Sequence, residues 1–276
     1  MVPIRKIVVP FDLSRRSVEA VDYASAIAVR YESELTLLHV VEPPRFEFAM
    51  LEPPGNLLDR MVAERVEAMS AEIERFRSQH LSGTKADVRI LQGQPAEAIV
   101  DYCVKQQIDL VVMPTRGRGP LRQFIIGSVA AKVLHDVPCA VLTGVHLELD
   151  FGFPKFHVNR VVCAVDLGPH SGPVVRWGAD LARDFQAECT LIHVIAQEAH
   201  AQNARRRLRQ LLQSASVDAD IVIKTGEPEK EITQAAAGLG ADLIVIGRGT
   251  SEGLLGRLRA QSYAIVRGAR CPVLSV

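Results

Sequence analysis

The chain lacks the features that mark membrane-spanning, secreted and nucleic-acid-binding proteins. No apolar stretch approaches the roughly 20 residues that cross a bilayer, and the N-terminus has no signal-peptide pattern. Acidic and basic residues balance at 32 each, so no excess positive charge is available to attract nucleic acid. We therefore expect a cytoplasmic protein with no membrane span and no nucleic-acid partner.

The five cysteines are few and include no CxxC pair. Structural zinc sites usually need such pairs, and secreted disulfide frameworks use an even number of cysteines. We expect reduced thiols buried in the core. His39 and His193 have no other His, Cys or carboxylate at metal-ligand spacing, so we expect them to pack within strands rather than to bind a metal.

An internal repeat organises the chain. The segment "KIVVPFDLS" near the start is similar to "RVVCAVDLG" in the second half, and this alignment pairs Asp12 with Asp166. His39 and His193 each follow these aspartates by 27 residues, within "LTLLHV" and "CTLIHV". The length of 276 residues is nearly twice that of a typical domain of about 150. We predict two domains, at residues 1–146 and 157–276, joined by a Gly- and Pro-containing linker.

The first copy is longer than the second by 21 residues between its second strand and the matched glycine, Gly93. We assign this excess to the Pro-rich insert at 42–60, which contains two PP pairs. Phe46 and Phe48 make the insert too apolar for a loop that contacts only solvent. We predict that it covers apolar surface, either above the first domain's site or on the other domain.

Short apolar runs alternate with longer helical stretches in both copies, which is typical of parallel βαβ units. The strands are continuously apolar, as expected when helices cover both faces of a parallel sheet. We predict an α/β fold with two tandem open five-stranded parallel sheets. In such sheets, ligands bind beyond the carboxyl ends of the strands.

The stretch "PTRGRGPLRQFIIGSV" at 114–129 lies at such an edge, directly after the apolar run "DLVVM". Glycines let backbone N–H groups approach phosphate oxygens, and the hydroxyl of Ser128 adds a further donor. These residues alone leave two readings open: a phosphate site, or an ordinary loop that needs turn residues.

The spacing from Gly117 through nine residues to Gly127 and Ser128 resembles the nucleotide signature GxxGx9G(S/T) of the universal stress protein family. The resemblance covers the chain twice, through the first-strand aspartate, the "LLHV" strand, the "GxP" motif and the last strand. It implies a Rossmann-like fold with strand order 3-2-1-4-5 in each half. It also implies that the nucleotide is bound by seven residues: Asp12, Val40 and Met113 near adenine and ribose, and Gly117, Gly127, Ser128 and Val129 at the phosphates.

Pro114 departs from the signature, whose first glycine it replaces, because proline has no N–H to offer the ribose. Asp12 also has an alternative role as a turn or cap residue shared with Ser14. In the second copy, Thr250 stands in place of Gly117, and the helix start falls near Arg259 and Ala260. We expect the second half to bind nucleotide weakly or not at all.

The resemblance implies an ATP-binding stress-response protein that holds ATP or ADP, with Mg²⁺ as an optional companion, and signals by conformation or partner contact. A nucleotide-free interaction or scaffold protein is the alternative, and a weak ATPase ranks third. No nucleophile–base pair and no Walker-type lysine stands out, so we expect no enzyme activity beyond slow ATP hydrolysis.

The apolar last strands predict how the two halves assemble. Exposed apolar edges invite pairing, so we expect 138–144 and 271–276 to pair antiparallel in a pseudo-symmetric dimer of domains. Homo-oligomers of whole chains remain open.

Overall fold

The computed structural model describes residues 4–43, 57–81, 83–115, 126–144, 158–248 and 256–276. The inter-domain linker and Gly117 lie outside the described residues, as does most of the insert, including both of its phenylalanines.

The two halves repeat one order of strands and helices. The first half contains β1 (Lys6–Pro10), α1 (Arg15–Tyr31), β2 (Glu34–Val41), α2 (Leu57–His80), β3 (Ala86–Gln92), α3 (Pro95–Gln106), β4 (Leu110–Val112), α4 (Ser128–Asp136) and β5 (Ala140–Thr143). The second half contains β6 (Arg160–Ala164), α5 (Ser171–Phe185), β7 (Glu188–Ile195), α6 (Ala201–Ala215), β8 (Asp220–Thr225), α7 (Pro228–Leu239), β9 (Leu243–Ile246), α8 (Gly256–Gly268) and β10 (Val273–Ser275).

Each half forms a parallel sheet in the predicted order 3-2-1-4-5, which confirms the fold class. The predicted antiparallel contact is confirmed as well, because Val273 pairs with Thr143 and Ser275 pairs with Val141. This contact joins the two five-stranded sheets into one ten-stranded sheet, in the order β3-β2-β1-β4-β5-β10-β9-β6-β7-β8. The only antiparallel pairing among the described strands therefore lies at the junction of the halves.

The core lies on both faces of this sheet. One apolar cluster contains residues of both halves and lies beneath α1, α2, α5 and α6. The opposite face has one cluster beneath α3 and α4 and another beneath α7 and α8. Residues of the central strands are fully buried, as Val8 and Ile244 show, because helices cover both sides.

Side chains reinforce the junction on both faces of the sheet. The Arg248 guanidinium donates to the carbonyl oxygens of Val137 (2.8 Å) and Cys139 (2.6 Å), at the end of α4. The Tyr263 hydroxyl on α8 donates to the carbonyl oxygen of Ala131, which lies within α4, at 2.8 Å. On the other face, the Tyr31 hydroxyl donates to the carboxylate of Asp184 at 2.9 Å. The second half therefore contacts α4 at Ala131 and the segment that directly follows this helix.

The extra length of the first half is shared between the insert and a helix. α2 has 24 residues, whereas α6, at the same place in the second half, has 15. The predicted insert at 42–60 therefore overlaps α2, which begins at Leu57, and the greater length of this helix accounts for nine of the extra residues. Among the helices of the described ranges, none is long and apolar enough to cross a membrane.

One close helix–strand contact in the second half depends on a glycine. A Cβ added to Gly178 of α5 would overlap the Sγ atom of the fully buried Cys163 on β6. We predict that Gly178→Ala lowers the free energy of unfolding by about 1–3 kcal/mol, because overpacking outweighs the gain of about 1 kcal/mol in helix propensity. Denaturant unfolding measures this change.

The matched control is Gly238→Ala on α7, where an added Cβ would meet nothing within 4 Å. That change should stabilise the protein by about 0.5–1 kcal/mol. In a Cys163→Ala background, the cost of Gly178→Ala should disappear, because the overlapping sulfur is gone. A cost that persists in that background would contradict the contact.

Candidate functional site

A cavity of about 320 Å³ opens at the carboxyl ends of β1, β2 and β4, between these strands and the start of α4. Six of the seven predicted site residues line it: Asp12, Val40, Met113, Gly127, Ser128 and Val129. The seventh, Gly117, lies outside the described residues. The structure thus brings together residues that are 117 positions apart in the sequence, because parallel strands end at one edge of the sheet.

Asp12 begins the loop between β1 and α1 and takes part in its turn. Its Oδ1 atom accepts a hydrogen bond from the Ser14 N–H at 3.1 Å. The N-cap of α1 is Ser14, whose hydroxyl oxygen accepts from the Ser17 N–H at 3.2 Å. Asp12 therefore stabilises the turn, as the alternative interpretation expected, and also lines the cavity. Ser14 alone caps the helix.

The residue after Asp12 has an unusual backbone conformation that the sequence analysis missed. Leu13 has φ 62° and its counterpart Leu167 has φ 61°, in the left-handed region that leucine rarely adopts. Such backbone strain tends to cluster at binding sites. The available signal was the "DL" pair, which occurs at 12–13 and again at 166–167, so both copies place an aspartate directly before a residue in this conformation.

His39 also lines the cavity and is held by one strong hydrogen bond. Its Nδ1 atom lies 2.7 Å from the Phe11 carbonyl oxygen, and His193 makes the same contact with Val165. A carbonyl oxygen only accepts, so Nδ1 carries the proton in both rings. Each histidine therefore fixes the loop that follows the first strand of its half. In the described ranges, no group of three or more His, Cys, Asp or Glu side chains could hold a metal ion.

The start of α4 supplies an anion-binding element. Gly127 is its N-cap residue, with extended backbone and no side-chain cap, and its N–H donates to the Thr115 carbonyl at 2.9 Å. The first turn carries no acidic residue. The first N–H groups of a helix have no partner within the helix, and its dipole favours negative charge there. The cavity therefore combines an aspartate at one wall with an anion-attracting helix terminus at another.

The remaining lining residues are mostly apolar and were not predicted. They come from the same strand ends and from the start of α3: Pro10, Phe11, Ser17, Leu38, Pro95, Ile99, Pro114, Thr115 and Ala130. Pro114 lies on the wall, so the position at which this chain departs from the signature faces the site.

Asp109 lies at the other end of the strands, where β1 and β4 begin. Its carboxylate accepts the N–H groups of Arg5 (2.8 Å) and Lys6 (2.9 Å) at the start of β1. Asp242 accepts from Asn159 and Arg160 in the same way in the second half. These aspartates therefore join the starts of neighbouring strands and take no part in the cavity.

The second half has a smaller cavity of about 220 Å³ at the corresponding edge, lined by Asp166, His193 and Gly247 among others. Its helix differs from the expectation of a start near Arg259, because α8 begins at Gly256. The equivalents of Ser128 and Val129, which are Ala260 and Gln261, therefore lie inside the helix. Their N–H groups are used by the helical hydrogen-bond ladder, since each N–H bonds to the carbonyl four residues earlier.

Comparison with known proteins agrees with this architecture. The sequence matches the Universal stress protein family over residues 3–143 and again over 157–276. The chain belongs to the universal stress protein family, as a tandem two-domain member. A universal stress protein of Methanocaldococcus jannaschii is 31% identical over 138 residues, which cover 50% of this chain and 80% of that protein. One from Thermus aquaticus is 33% identical over 146 residues, covering 50% and 96%.

Solved structures of similar length share the fold. A universal stress protein from Archaeoglobus fulgidus superposes with a TM-score of 0.76 at 20% identity, covering 98% of this chain and 97% of that chain. A putative universal stress protein from Pseudomonas aeruginosa gives 0.71 at 18% identity, covering 99% and 93%. The fold is thus shared along nearly the whole length of these chains.

The hydrogen bonds around Asp12 predict that its structural and binding roles can be separated. Ser14→Ala removes the cap of α1 and should lower the free energy of unfolding by about 1 kcal/mol. Asp12→Asn should cost less than about 0.5 kcal/mol, because the amide oxygen of asparagine can still accept the Ser14 N–H. Urea unfolding of both variants measures this difference. Equal losses would show that Asp12 itself supports the helix.

Proposed function

We propose that the first domain binds ATP or ADP in the 320 Å³ cavity. The observation that carries this proposal is the start of α4, whose N-cap residue Gly127 has no side chain to cap it, on the same cavity as Asp12 and an apolar wall. Val40 and Met113 would contact the adenine, and the Asp12 carboxylate would accept hydrogen bonds from the ribose hydroxyls. Gly127, Ser128 and Val129 would bind the phosphates through backbone N–H groups and the serine hydroxyl, joined by Gly117, with Mg²⁺ as an optional companion.

The chemistry of the walls supports this orientation. Leu38, Val40 and Ile99 give an apolar surface suited to a flat aromatic base. The helix terminus suits the phosphates, because its partial positive charge favours an anion and its first N–H groups have no acceptor within the helix. A volume of about 320 Å³ lies at the lower end of the range of roughly 300–1,000 Å³ for small-molecule sites.

We propose a regulatory rather than a catalytic role for the bound nucleotide in a stress response. Binding at the start of α4 would act on a helix that the second domain contacts at Ala131 and just beyond its end, at Val137 and Cys139. The nucleotide state would therefore be passed on by conformation or partner contact, with hydrolysis slow at most. Domains at 1–146 and 157–276 remain our proposed division of the chain.

We further propose that each chain binds one nucleotide, in the first domain. In the second half, the earlier start of α8 removes the free N–H groups that the phosphates would need. Arg259 also replaces Gly127 in the sequence repeat.

Titration calorimetry with ATP tests both the site and the number of nucleotides. Gly127→Arg should weaken binding at least about 10- to 100-fold, because a charge-assisted hydrogen bond is worth about 1.5–3 kcal/mol and the added side chain would occupy the phosphate position. The matched change in the other half, Arg259→Ala, should leave the affinity nearly unchanged. Two equivalent sites would contradict one nucleotide per chain. A loss of affinity with Arg259→Ala alone would show that the second half binds the nucleotide.

Asp12→Asn and its counterpart Asp166→Asn form a second matched pair. Asp12→Asn should weaken ATP binding by about 10-fold or more, since it removes a charged acceptor while keeping the turn. Asp166→Asn should have no effect on affinity. If wild-type protein gives neither binding heat nor a thermal shift with ATP or ADP, the nucleotide-free interaction protein becomes the better account.

A further inference from the structure

The junction of the two halves contains contacts between residues that are equivalent in the two copies. Asp166 follows Asp12 by 154 positions, which relates α5 to α1. Cys271 follows Cys139 by 132 positions, which relates α8 and β10 to α4 and β5. In a symmetric pair of identical domains, residues on the two-fold axis contact their own copies. Contacts between equivalent residues therefore mark the pseudo-two-fold axis of this chain.

Leu142 and Leu274 form the middle layer of this axis. They are equivalent residues, and they face each other in the antiparallel pairing of β5 with β10. The two strands are closely similar in sequence, with "AVLT" in β5 and "VLS" in β10. Two copies of β5, or two copies of β10, could thus pair as well as β5 with β10. The strands alone therefore give no preference for unlike halves.

On one face of the sheet, α1 and α5 meet through residues of opposite charge. Arg30 is the equivalent of Asp184, and its guanidinium donates to the Asp184 carbonyl oxygen at 2.6 Å. The Asp184 carboxylate accepts from the Tyr31 hydroxyl at 2.9 Å, and the Asp184 side chain is only 8% exposed. The ring of Tyr31 meets that of its own equivalent, Phe185, edge-on at 6.4 Å. This face therefore sets Arg-Tyr of the first half against Asp-Phe of the second.

On the opposite face, α4 and α8 meet through residues of unequal size. Tyr263 is the equivalent of Ala131, and its hydroxyl donates to the Ala131 carbonyl oxygen at 2.8 Å. The Tyr263 ring packs against the apolar cluster of the first half beneath α3 and α4. A large side chain of the second half therefore faces a small one of the first.

Pairing of like halves would place mismatched groups on the axis. Two second halves would bring the Asp184 carboxylate against its own copy, without the Tyr31 hydroxyl, and would oppose two Tyr263 rings. Buried like charges and overpacking both cost free energy. Two first halves would oppose two Arg30 guanidinium groups, remove the acceptor of Tyr31 and leave a gap between two alanines. Unlike halves are the combination that satisfies both faces.

We propose that these two sets of axis residues, Arg30 and Tyr31 with Asp184 and Phe185, and Ala131 with Tyr263, specify the partner of each half. The first half accepts a second half in preference to another first half, and the reverse holds for the second. The surface around β5 and β10 therefore closes within one chain rather than between like halves of two chains. Complementary contacts that disfavour alternative partners are a common source of specificity. Nucleotide binding is not required for this selection.

Exchange of the axis residues in the full chain tests the proposal. Arg30→Asp with Tyr31→Phe gives the first half the residues of the second, and Asp184→Arg with Phe185→Tyr does the reverse. These two half-exchanged chains reproduce, within one molecule, the axis contacts of a like pair. Hydrogen–deuterium exchange at the amides that bond across β5 and β10 should be at least about tenfold faster in them than in the wild type, because a hydrogen bond to a charged group is lost.

The chain with all four changes opposes unlike groups again. Its exchange rates at the junction should return to within about threefold of the wild type. The control Arg15→Glu lies on α1 away from the axis, with a side chain 84% exposed, and should leave these rates unchanged. Wild-type protection in both half-exchanged chains, or no recovery in the fully exchanged chain, would overturn the proposal. A half-exchanged chain that fails to fold while the fully exchanged chain folds would support it.

The second set of axis residues gives an independent test of the same proposal. Ala131→Tyr opposes two large side chains, and Tyr263→Ala opposes two small ones. Each change should accelerate amide exchange across β5 and β10, whereas the double variant restores one large and one small group and should recover most of the protection. Far-UV circular dichroism checks that each variant is folded. A double variant less protected than both single variants would show that the match in size does not select the partner, and would overturn this part of the proposal.

Discussion

The antiparallel pairing of β5 with β10 is the contact on which the rest of the arrangement depends. Leu142 opposite Leu274, and Thr143 opposite Val273, turn two edge strands into the centre of one sheet. An unpaired apolar edge would expose unsatisfied backbone groups and invite aggregation, so each half protects the other. The pairing also fixes where Arg248 of the second half meets the end of α4. The side-chain contacts of the junction are therefore placed by this one pairing.

Duplication gives the two halves the same frame, and substitutions have given them different chemistry. Asp12 and Asp166 follow equivalent strands, and His39 and His193 make equivalent hydrogen bonds. The halves differ where the last helix begins, because α4 starts at the cavity, after the N-cap residue Gly127, whereas α8 begins three residues before the equivalent of Gly127, Arg259. Functional asymmetry can therefore arise from a change in helix length without any change in topology.

The strands, their order and most of the cavity residues were predictable from the sequence, because they depend on local sequence patterns. Buried parallel strands are continuously apolar, and the resemblance to a known family, whose motifs occur in both copies, implied their order. The predicted cavity residues meet because strand ends converge, as Asp12 and Met113 show. The early start of α8 and the contact of Arg248 with Cys139 were not predictable. The first depends on how a degenerate loop folds, and the second joins residues 109 positions apart across a domain junction.

We propose above that the start of α4 in the first half binds the nucleotide and that the start of α8 in the second half does not. The most direct measurement is amide NMR of deuterated protein during titration with ADP. The account predicts large, saturable shifts at Gly127, Ser128 and Val129, while the amides of Ala260 and Gln261 stay unchanged. Shifts of similar size and midpoint at both helix starts, or shifts confined to α8, would contradict it.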